Sequence, residues 1–411
     1  MAGFGKTMPL EVKKRIKIAA VLVAGAAFLA GCSGFWDAPS SGGGTTTTTL
    51  SSGYFYVLDK ANSEVLPYYI NAGTLTLGSS VALPAAPIAI AVAPNDDFLY
   101  VSTLSGIYLY TISGGVLSES NSKLAITSDP ALAMQVDATG TWLLETSGTG
   151  TLNAIPIVST TGVINTGSSC VTNRGPACTI TLNPTTVNQL AIAPNGDNGS
   201  ISSNTEFVFV ACGTSGTAAF GFNPAGSDPF GSASGPYVTE NPVTPTTGAA
   251  LAVAVDSSNG LLYVGEAAAV SGSGGLRVFT IDTTNGALAE QTKEGSPYAS
   301  GGSGPHAILP NPSGDDVFVA NWNGTNTGNI TGFSITSSNS TYSLTELKNQ
   351  ATTGIEPESL VEDSLGHFVL VESSGGNPYL SAYIFDTTTA GKLDLTNTST
   401  AYAGIALAAN Q

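Results

Sequence analysis

Ile90-Ala-Val-Ala-Pro-Asn-Asp-Asp-Phe-Leu-Tyr-Val101 contains a strand of small apolar residues, a polar turn, and a second strand ending in Tyr-Val. The same phrase returns as Leu251-Ala-Val-Ala-Val-Asp-Ser-Ser-Asn-Gly-Leu-Leu-Tyr-Val264. It returns again as Ala307-Ile-Leu-Pro-Asn-Pro-Ser-Gly-Asp-Asp-Val-Phe-Val319. Weaker copies run from Leu132 to Leu144 and from Leu360 to Val371, and one from Leu190 to Val210 carries an Asn/Gly/Ser insertion in its turn. The second strands end at Val57, Val101, Leu144, Val210, Val264, Val319 and Val371, separated by 44, 43, 66, 54, 55 and 52 residues. A repeat of this length, with about four short strands in each copy, predicts a β-propeller.

Alternating strands follow several anchors: Ile107-Tyr-Leu-Tyr-Thr-Ile112, Leu276-Arg-Val-Phe-Thr-Ile281, Ile330-Thr-Gly-Phe-Ser-Ile335 and Leu380-Ser-Ala-Tyr-Ile-Phe385. Their period of two fits a strand packed on a neighbour through each face. The small first strands suit the crowded axis of a ring. Ile405-Ala-Leu-Ala-Ala-Asn410 repeats Ile90-Ala-Val-Ala-Pro-Asn95 with no second strand behind it, whereas Tyr54-Phe-Tyr-Val57 is a second strand with no first strand before it. One blade is therefore expected to join both segments, giving an all-β, single seven-bladed β-propeller over 53–411, closed by the strand at 405–410.

Composition agrees. Charged residues make up 10% of the chain and hydrophobic ones 42%, too little charge and too much apolar surface for a disordered polymer. Before Cys32, Lys13-Lys14-Arg15-Ile16-Lys17 precedes an apolar run from Ile18 to Ala30 and then Leu29-Ala30-Gly31-Cys32. That run has the length of a signal peptide's apolar region and is short for a membrane span of roughly 20 residues. Leu-Ala-Gly-Cys in this place resembles the lipobox of bacterial lipoproteins, which implies lipidation at Cys32 and a leader at 1–31. Residues 32–52, rich in Gly, Ser and Thr, read as a flexible tether with a span of roughly 25 Å. The expected location is outside the inner membrane, anchored by lipid to the outer membrane and facing the periplasm or cell surface. The residues after Cys32 carry 28 acidic against 7 basic side chains. A body with that balance repels nucleic acid.

Disulfides are permitted in that compartment. Cys170 and Cys178 flank a turn-like run and are expected to pair, leaving Cys212 as a free buried thiol. Neither His lies near them, so four zinc ligands do not assemble.

The repeated phrase, with its tails Tyr100-Val-Ser-Thr103, Tyr263-Val-Gly-Glu266 and Phe318-Val-Ala-Asn321, resembles YVTN-type propellers. These include the seven-bladed lactonase family of 6-phosphogluconolactonase-like proteins and carboxymuconate cycloisomerases, which Gly304-Pro305-His306 also resembles. The resemblance covers roughly residues 53–411. It implies a site of His, Glu and Arg at the mouth of the central channel: His306 as acid or base, Glu266 or Glu358 as its partner, and Arg277 as an electrophilic clamp.

Loops that precede first strands and follow second strands open on one face of such a fold. Glu145, Asn321, Trp322 and Glu372 map there as candidate ligand-binding residues, and Asn321-Trp322 could stack a sugar ring. Structural alternatives stand beside these roles: solvated glutamates, a hydrogen-bonding His306, a Trp filling a gap between blades, and His367 as an exposed turn residue. The mature chain has only Arg174, Arg277 and five Lys, too few for a phosphosugar pocket. No metal site is assigned and no cofactor is expected, with Ca²⁺ at the mouth kept as an alternative; Asp96-Asp97 and Asp315-Asp316 read as ordinary turn acids. The favoured reading is a monomeric binding or interaction module for a protein, a polysaccharide, or a small lactone or sugar. The alternative is a lactone hydrolase or isomerase acting on a neutral or weakly charged lactone.

Overall fold

Strands form where the sequence alternates, and turns form where its polar residues interrupt. The shared turn has one backbone requirement, a left-handed residue just before the second strand. Glycine supplies it as Gly140 (φ 68°), Gly260 (φ 65°), Gly314 (φ 74°) and Gly366 (φ 68°), and Asp96 adopts it at φ 57°, a conformation that Asp tolerates better than bulkier residues. The amides of Asp96, Gly140, Gly314 and Gly366 each donate to the carbonyl three residues back, at 2.8–2.9 Å.

The computed structural model describes residues 53–409 except 72–73, 120–129, 173–177, 183–186, 194–205, 231–237, 241–247, 257, 259, 271–272, 283–285, 349, 364 and 403. The expected leader, Cys32, the tether, the insertion at 194–205 and Arg174 lie outside the described residues.

The described strands fall into seven consecutive antiparallel meanders. The first comprises β1 (Gly53–Asp59), β2 (Glu64–Asn71) and β3 (Thr74–Leu77), with β4 (Val81–Ala82) also on β2. The second is β5 (Pro87–Val92), β6 (Phe98–Thr103), β7 (Gly106–Ser113) and β8 (Val116–Glu119). The third is β9 (Ala131–Val136), β10 (Trp142–Ser147), β11 (Thr151–Pro156) and β12 (Thr179–Thr181), with a helical turn α1 (Ser169–Thr172) before β12. The fourth is β13 (Gln189–Ala193), β14 (Glu206–Ala211), β15 (Thr217–Phe222) and β16 (Val238–Glu240). The fifth is β17 (Ala250–Asp256), β18 (Leu261–Val270), β19 (Ser273–Ile281) and β20 (Leu288–Glu290), with β21 (Tyr298–Ala299) on β19. The sixth is β22 (Gly304–Pro310), β23 (Asp316–Asn323), β24 (Asn326–Ser338) and β25 (Thr341–Glu346). The seventh is β26 (Ala351–Glu362), β27 (Phe368–Gly376), β28 (Leu380–Phe385) and β29 (Leu393–Ser399). The last strand, β30 (Gly404–Ala409), pairs with β1 from Phe55↔Ala409 to Asp59↔Gly404.

The sixth and seventh meanders share one sheet, because β25 covers only part of the long β24 and the start of β26 pairs with the remainder (Asn329↔Thr352, Ile330↔Ala351). All seven second-strand anchors lie in second strands of the meanders and are 3% exposed or less. Full burial of such a Val or Leu contributes roughly 1.5–3 kcal/mol.

Among the described residues the core divides into seven clusters, each drawn from two meanders. Tyr100, Leu109, Met134 and Leu143 join the second to the third. Phe318, Ile330, Leu360 and Val369 join the sixth to the seventh. Val57, Leu66, Leu370 and Leu407 join the seventh to the first. Cys170 and Cys178 form the expected disulfide and are buried in the cluster between the third and fourth meanders, beside the buried free thiol of Cys212. Burial pushes that thiol up to about 11, which keeps it protonated and unreactive.

Candidate functional site

The first strands share an irregularity. Where the second strand offers one residue, the first strand inserts two, and this occurs in six of the seven meanders. The inserted residues are Ile88, Leu132, Leu251, His306, Glu358 and Ile405, because register passes from Pro87 to Ala89, Ala131 to Ala133, Ala250 to Ala252, Pro305 to Ala307, Pro357 to Ser359 and Gly404 to Ala406. A bulge bends its strand and re-aims the inserted side chain. Four of these side chains are aliphatic and two are ionisable. Glu358, Ile405 and Ile88 together line a cavity of about 630 Å³, with Lys60, Ala61, Ala86, Pro87, Leu104, Ser374 and Gly404.

Glu358 accepts a 2.7 Å hydrogen bond from the Ser374 hydroxyl. Burial raises its pKa, opposed by that hydrogen bond and by Lys60. The residue two before it, Glu356, takes a left-handed φ of 57°, a backbone conformation that is costly before proline and of a kind found where structure serves a site. Glu372 stands on the adjacent strand β27 and is fully buried; neither carboxyl oxygen has a hydrogen-bond partner. Burial, with Glu358 adding to it, pushes this carboxyl well above the usual range and favours its protonated form. It lies against Gly404 of the cavity lining: a Cβ there would meet the Glu372 Cγ at 2.7 Å and its Oε1 at 3.1 Å.

His306 is half-buried and stacks face to face on Trp322, ring centres 3.8 Å apart and planes 6° from parallel. The Trp322 indole donates to the Pro357 carbonyl at 2.9 Å, tying the sixth meander to the residue before Glu358. Burial pulls the His306 imidazole down to about 4, leaving it neutral at pH 7. Its carbonyl accepts from the Gln189 side chain at 2.9 Å, and the same amide accepts from the Val253 N–H at 3.2 Å. Gln189 thus links β13, β17 and β22.

The other candidates are committed elsewhere. Arg277 is 4% exposed. Its Nε meets Glu266 Oε2 at 2.7 Å, and its terminal nitrogen meets Glu290 Oε1 at 2.8 Å. The Ser296 hydroxyl completes the cluster by donating to Glu290 at 2.8 Å. An arginine between two carboxylates inside its own meander is not a free clamp, and Glu266 is not a partner for His306. Glu145, 1% exposed, accepts from Asn153 at 2.7 Å, and Asn153 in turn accepts from Thr179, which makes a structural network rather than a rim site. Asn321 is fully buried and donates to the Ser300 and Val319 carbonyls, so Trp322 lacks the polar neighbour expected for sugar stacking. His367 lies in the turn before β27 but is half-buried, with its amide bonded to Asp363. Among the described residues, no three His, Cys, Asp or Glu side chains gather closely enough to hold a metal ion.

Sequence reasoning missed Lys60, Ser374, Gly404, Ile88 and Ile405. The signal was present in the small/charged-Pro-X pattern of Ala86-Pro87-Ile88, Gly304-Pro305-His306 and Glu356-Pro357-Glu358, where X is the inserted residue. Aligning the repeats on that column, rather than on Tyr-Val, separates His306 and Glu358 from the aliphatic copies.

No family model and no curated protein matches the chain. Solved structures do. A candidate 6-phosphogluconolactonase from Bacteroides fragilis is similar with a TM-score of 0.65 at 15% identity, over 89% of this chain and 100% of that one. The periplasmic gluconolactonase of Pseudomonas aeruginosa gives 0.63 at 16%, over 88% and 99%. The Cps50 β-propeller domain of Myceliophteria thermophila gives 0.51 at 11%, over 78% and 88%. At these identities the likeness is one of fold, and the fold of this chain is that of the lactonase-like β-propellers.

Proposed function

We propose that the chain is an exported, lipid-anchored propeller whose seven meanders are the blades of one ring, and that its mouth binds a small ligand. The ring reading is supported by the β1–β30 pairing and by the cluster that packs the seventh meander on the first. The single observation carrying the binding reading is the cavity beside the bulge column, with aliphatic walls and Glu358 as its acid. Sequestration of Arg277 weighs against the acid, base and cation constellation of lactone chemistry. The test is a thermal-shift screen of the full chain against amines, sugars and lactones. A ligand at one hundred times its Kd stabilises the native state by about 2.7 kcal/mol, and Ile88→Trp, which fills the cavity, should abolish the shift. A screen in which every hit survives Ile88→Trp would overturn the reading.

A second reading, lactone hydrolysis, is favoured by one feature: His306 and Glu358 are the inserted residues of adjacent meanders, linked through Trp322. Turnover of gluconolactone lost in both His306→Ala and Glu358→Gln would establish it.

A further inference from the structure

We infer that the cavity bounded by β26, β30 and β5 is a site for a small organic cation, an ammonium group on an apolar stem, with Glu358 on its wall and Glu372 against its glycine lining as counter-charges. This rests on the mouth-binding reading and names its ligand class. Pro87, Ile88, Leu104 and Ile405 give the stem an apolar surface. Glu358 has one oxygen on Ser374 and capacity for further donors.

Glu372 is the second, independent observation. Both of its oxygens are buried without a partner, a costly state for a polar group and one uncommon enough in native structures to need a cause. Gly404 accounts for the contact: only a residue without a side chain leaves the carboxyl in place beside the cavity. One carboxyl on a largely apolar wall, with a second behind Gly404, suits an ammonium on an apolar stem better than a hard metal ion, which wants six or more oxygens.

The charged groups near the Glu372 carboxyl are Glu358 on β26, Asp59 opposite Gly404, and Lys60 at the rim. Asp59 is engaged by the Ala61 and Asn62 amides and the Asn62 side chain. Lys60 is exposed, lines the cavity and lowers the Glu358 pKa. Burial favours the protonated form of Glu372 in the free protein, and a bound ammonium favours the carboxylate. Binding therefore releases that proton to solvent, and affinity rises with pH for as long as the free protein keeps it.

The experiment is calorimetric titration of the full chain with butylammonium and with butan-1-ol, at pH 5 and pH 8, in buffers of different ionisation enthalpy. Butylammonium should bind at least tenfold more tightly than the alcohol, more tightly at pH 8, with net proton release. Glu372→Gln and Glu358→Gln should each lose tenfold or more, and Lys60→Ala should gain several-fold. Gln matches the size of a protonated Glu, and a melting curve checks each variant's fold. Equal binding of the alcohol, lost in Ile88→Trp, would overturn the cation while leaving the mouth site standing. Ammonium binding indifferent to both Gln variants, or silence of both probes, would also overturn it, and the sugar and lactone screen would then decide the mouth reading separately.

Discussion

The fifth and seventh meanders each bury a glutamate near the end of the second strand, yet the two groups do opposite things. Glu266 pairs across the ladder with Ala250, the residue before the bulge; Glu372 pairs with Ser359, the residue after it. That difference of one position turns the two side chains to opposite faces of their sheets. Glu266 shares the face that packs on the fourth meander and meets Arg277, which also holds Glu290. Glu372 shares the face that packs on β30 and lies against Gly404, with neither oxygen hydrogen-bonded. Burial by itself does not mark a functional carboxyl; burial without a partner, beside a cavity, does.

The largest effect separating the two regions should come from removing the arginine. Arg277→Met leaves two buried carboxylates unpaired and should cost about 3–5 kcal/mol in denaturant unfolding, whereas Arg277→Met with Glu266→Gln and Glu290→Gln should recover most of it. A single variant as stable as the parent would mean the cluster is not holding the fifth meander together.

In the seventh meander the sign reverses. Glu372→Leu should stabilise the protein at neutral pH by about 1–3 kcal/mol, since it removes a buried polar group with no partners. A destabilised variant would reveal a partner for the carboxyl and remove the contrast.

The pH dependence sharpens this. Burial with Asp363 pushes Glu362 up to about 8, and burial with Glu358 raises Glu372 well above its usual range, so both favour the protonated form in the native state. Their contribution is complete below the unfolded value near 4.5 and is lost as pH rises through the folded values. His306 is depressed to about 4 from 6.5, so its contribution is present above 6.5 and fades as pH falls towards 4. Stability should therefore peak in the weakly acidic range. Glu372→Gln should flatten the alkaline limb and His306→Gln the acidic limb, as read from melting temperature against pH.

How much of this could be read from sequence follows from what kind of information each feature needs. The meanders were legible because period-two alternation and Tyr-Val anchors are local. The strand at 405–410 was legible because it copies Ile90–Asn95, and the Cys170–Cys178 bridge because only a turn-like run of seven residues separates the thiols in sequence. The site was half legible. His306, Glu358 and Glu372 were named, but rim position could not distinguish Glu372 from Glu266, since that turns on one residue of register and on a partner, Arg277, eleven residues away. Glu145 and Asn321 failed for the same reason: their partners Asn153, Thr179 and Ser300 are ordinary polar residues in sequence and become significant only across strands.

The smallest expected effect concerns the shared turn. Asp96→Gly should stabilise by up to about 1 kcal/mol and Gly366→Ala should destabilise by a comparable amount, because both positions need a left-handed backbone. Chemical denaturation resolves both. Equal responses would show that the turns, unlike the two carboxyls, are interchangeable between meanders.

The most direct test of the contrast is the ionisation state of Glu372 in solution, followed by difference infrared spectroscopy of the carboxyl band between the parent and Glu372→Gln at neutral pH, with and without butylammonium. The expected result is a protonated carboxyl in the free protein that Glu372→Gln removes and that ligand converts to carboxylate. A Glu372 already ionised in the free protein would contradict it, and would mean that this carboxyl, like Glu266, has found its counter-charge within the fold.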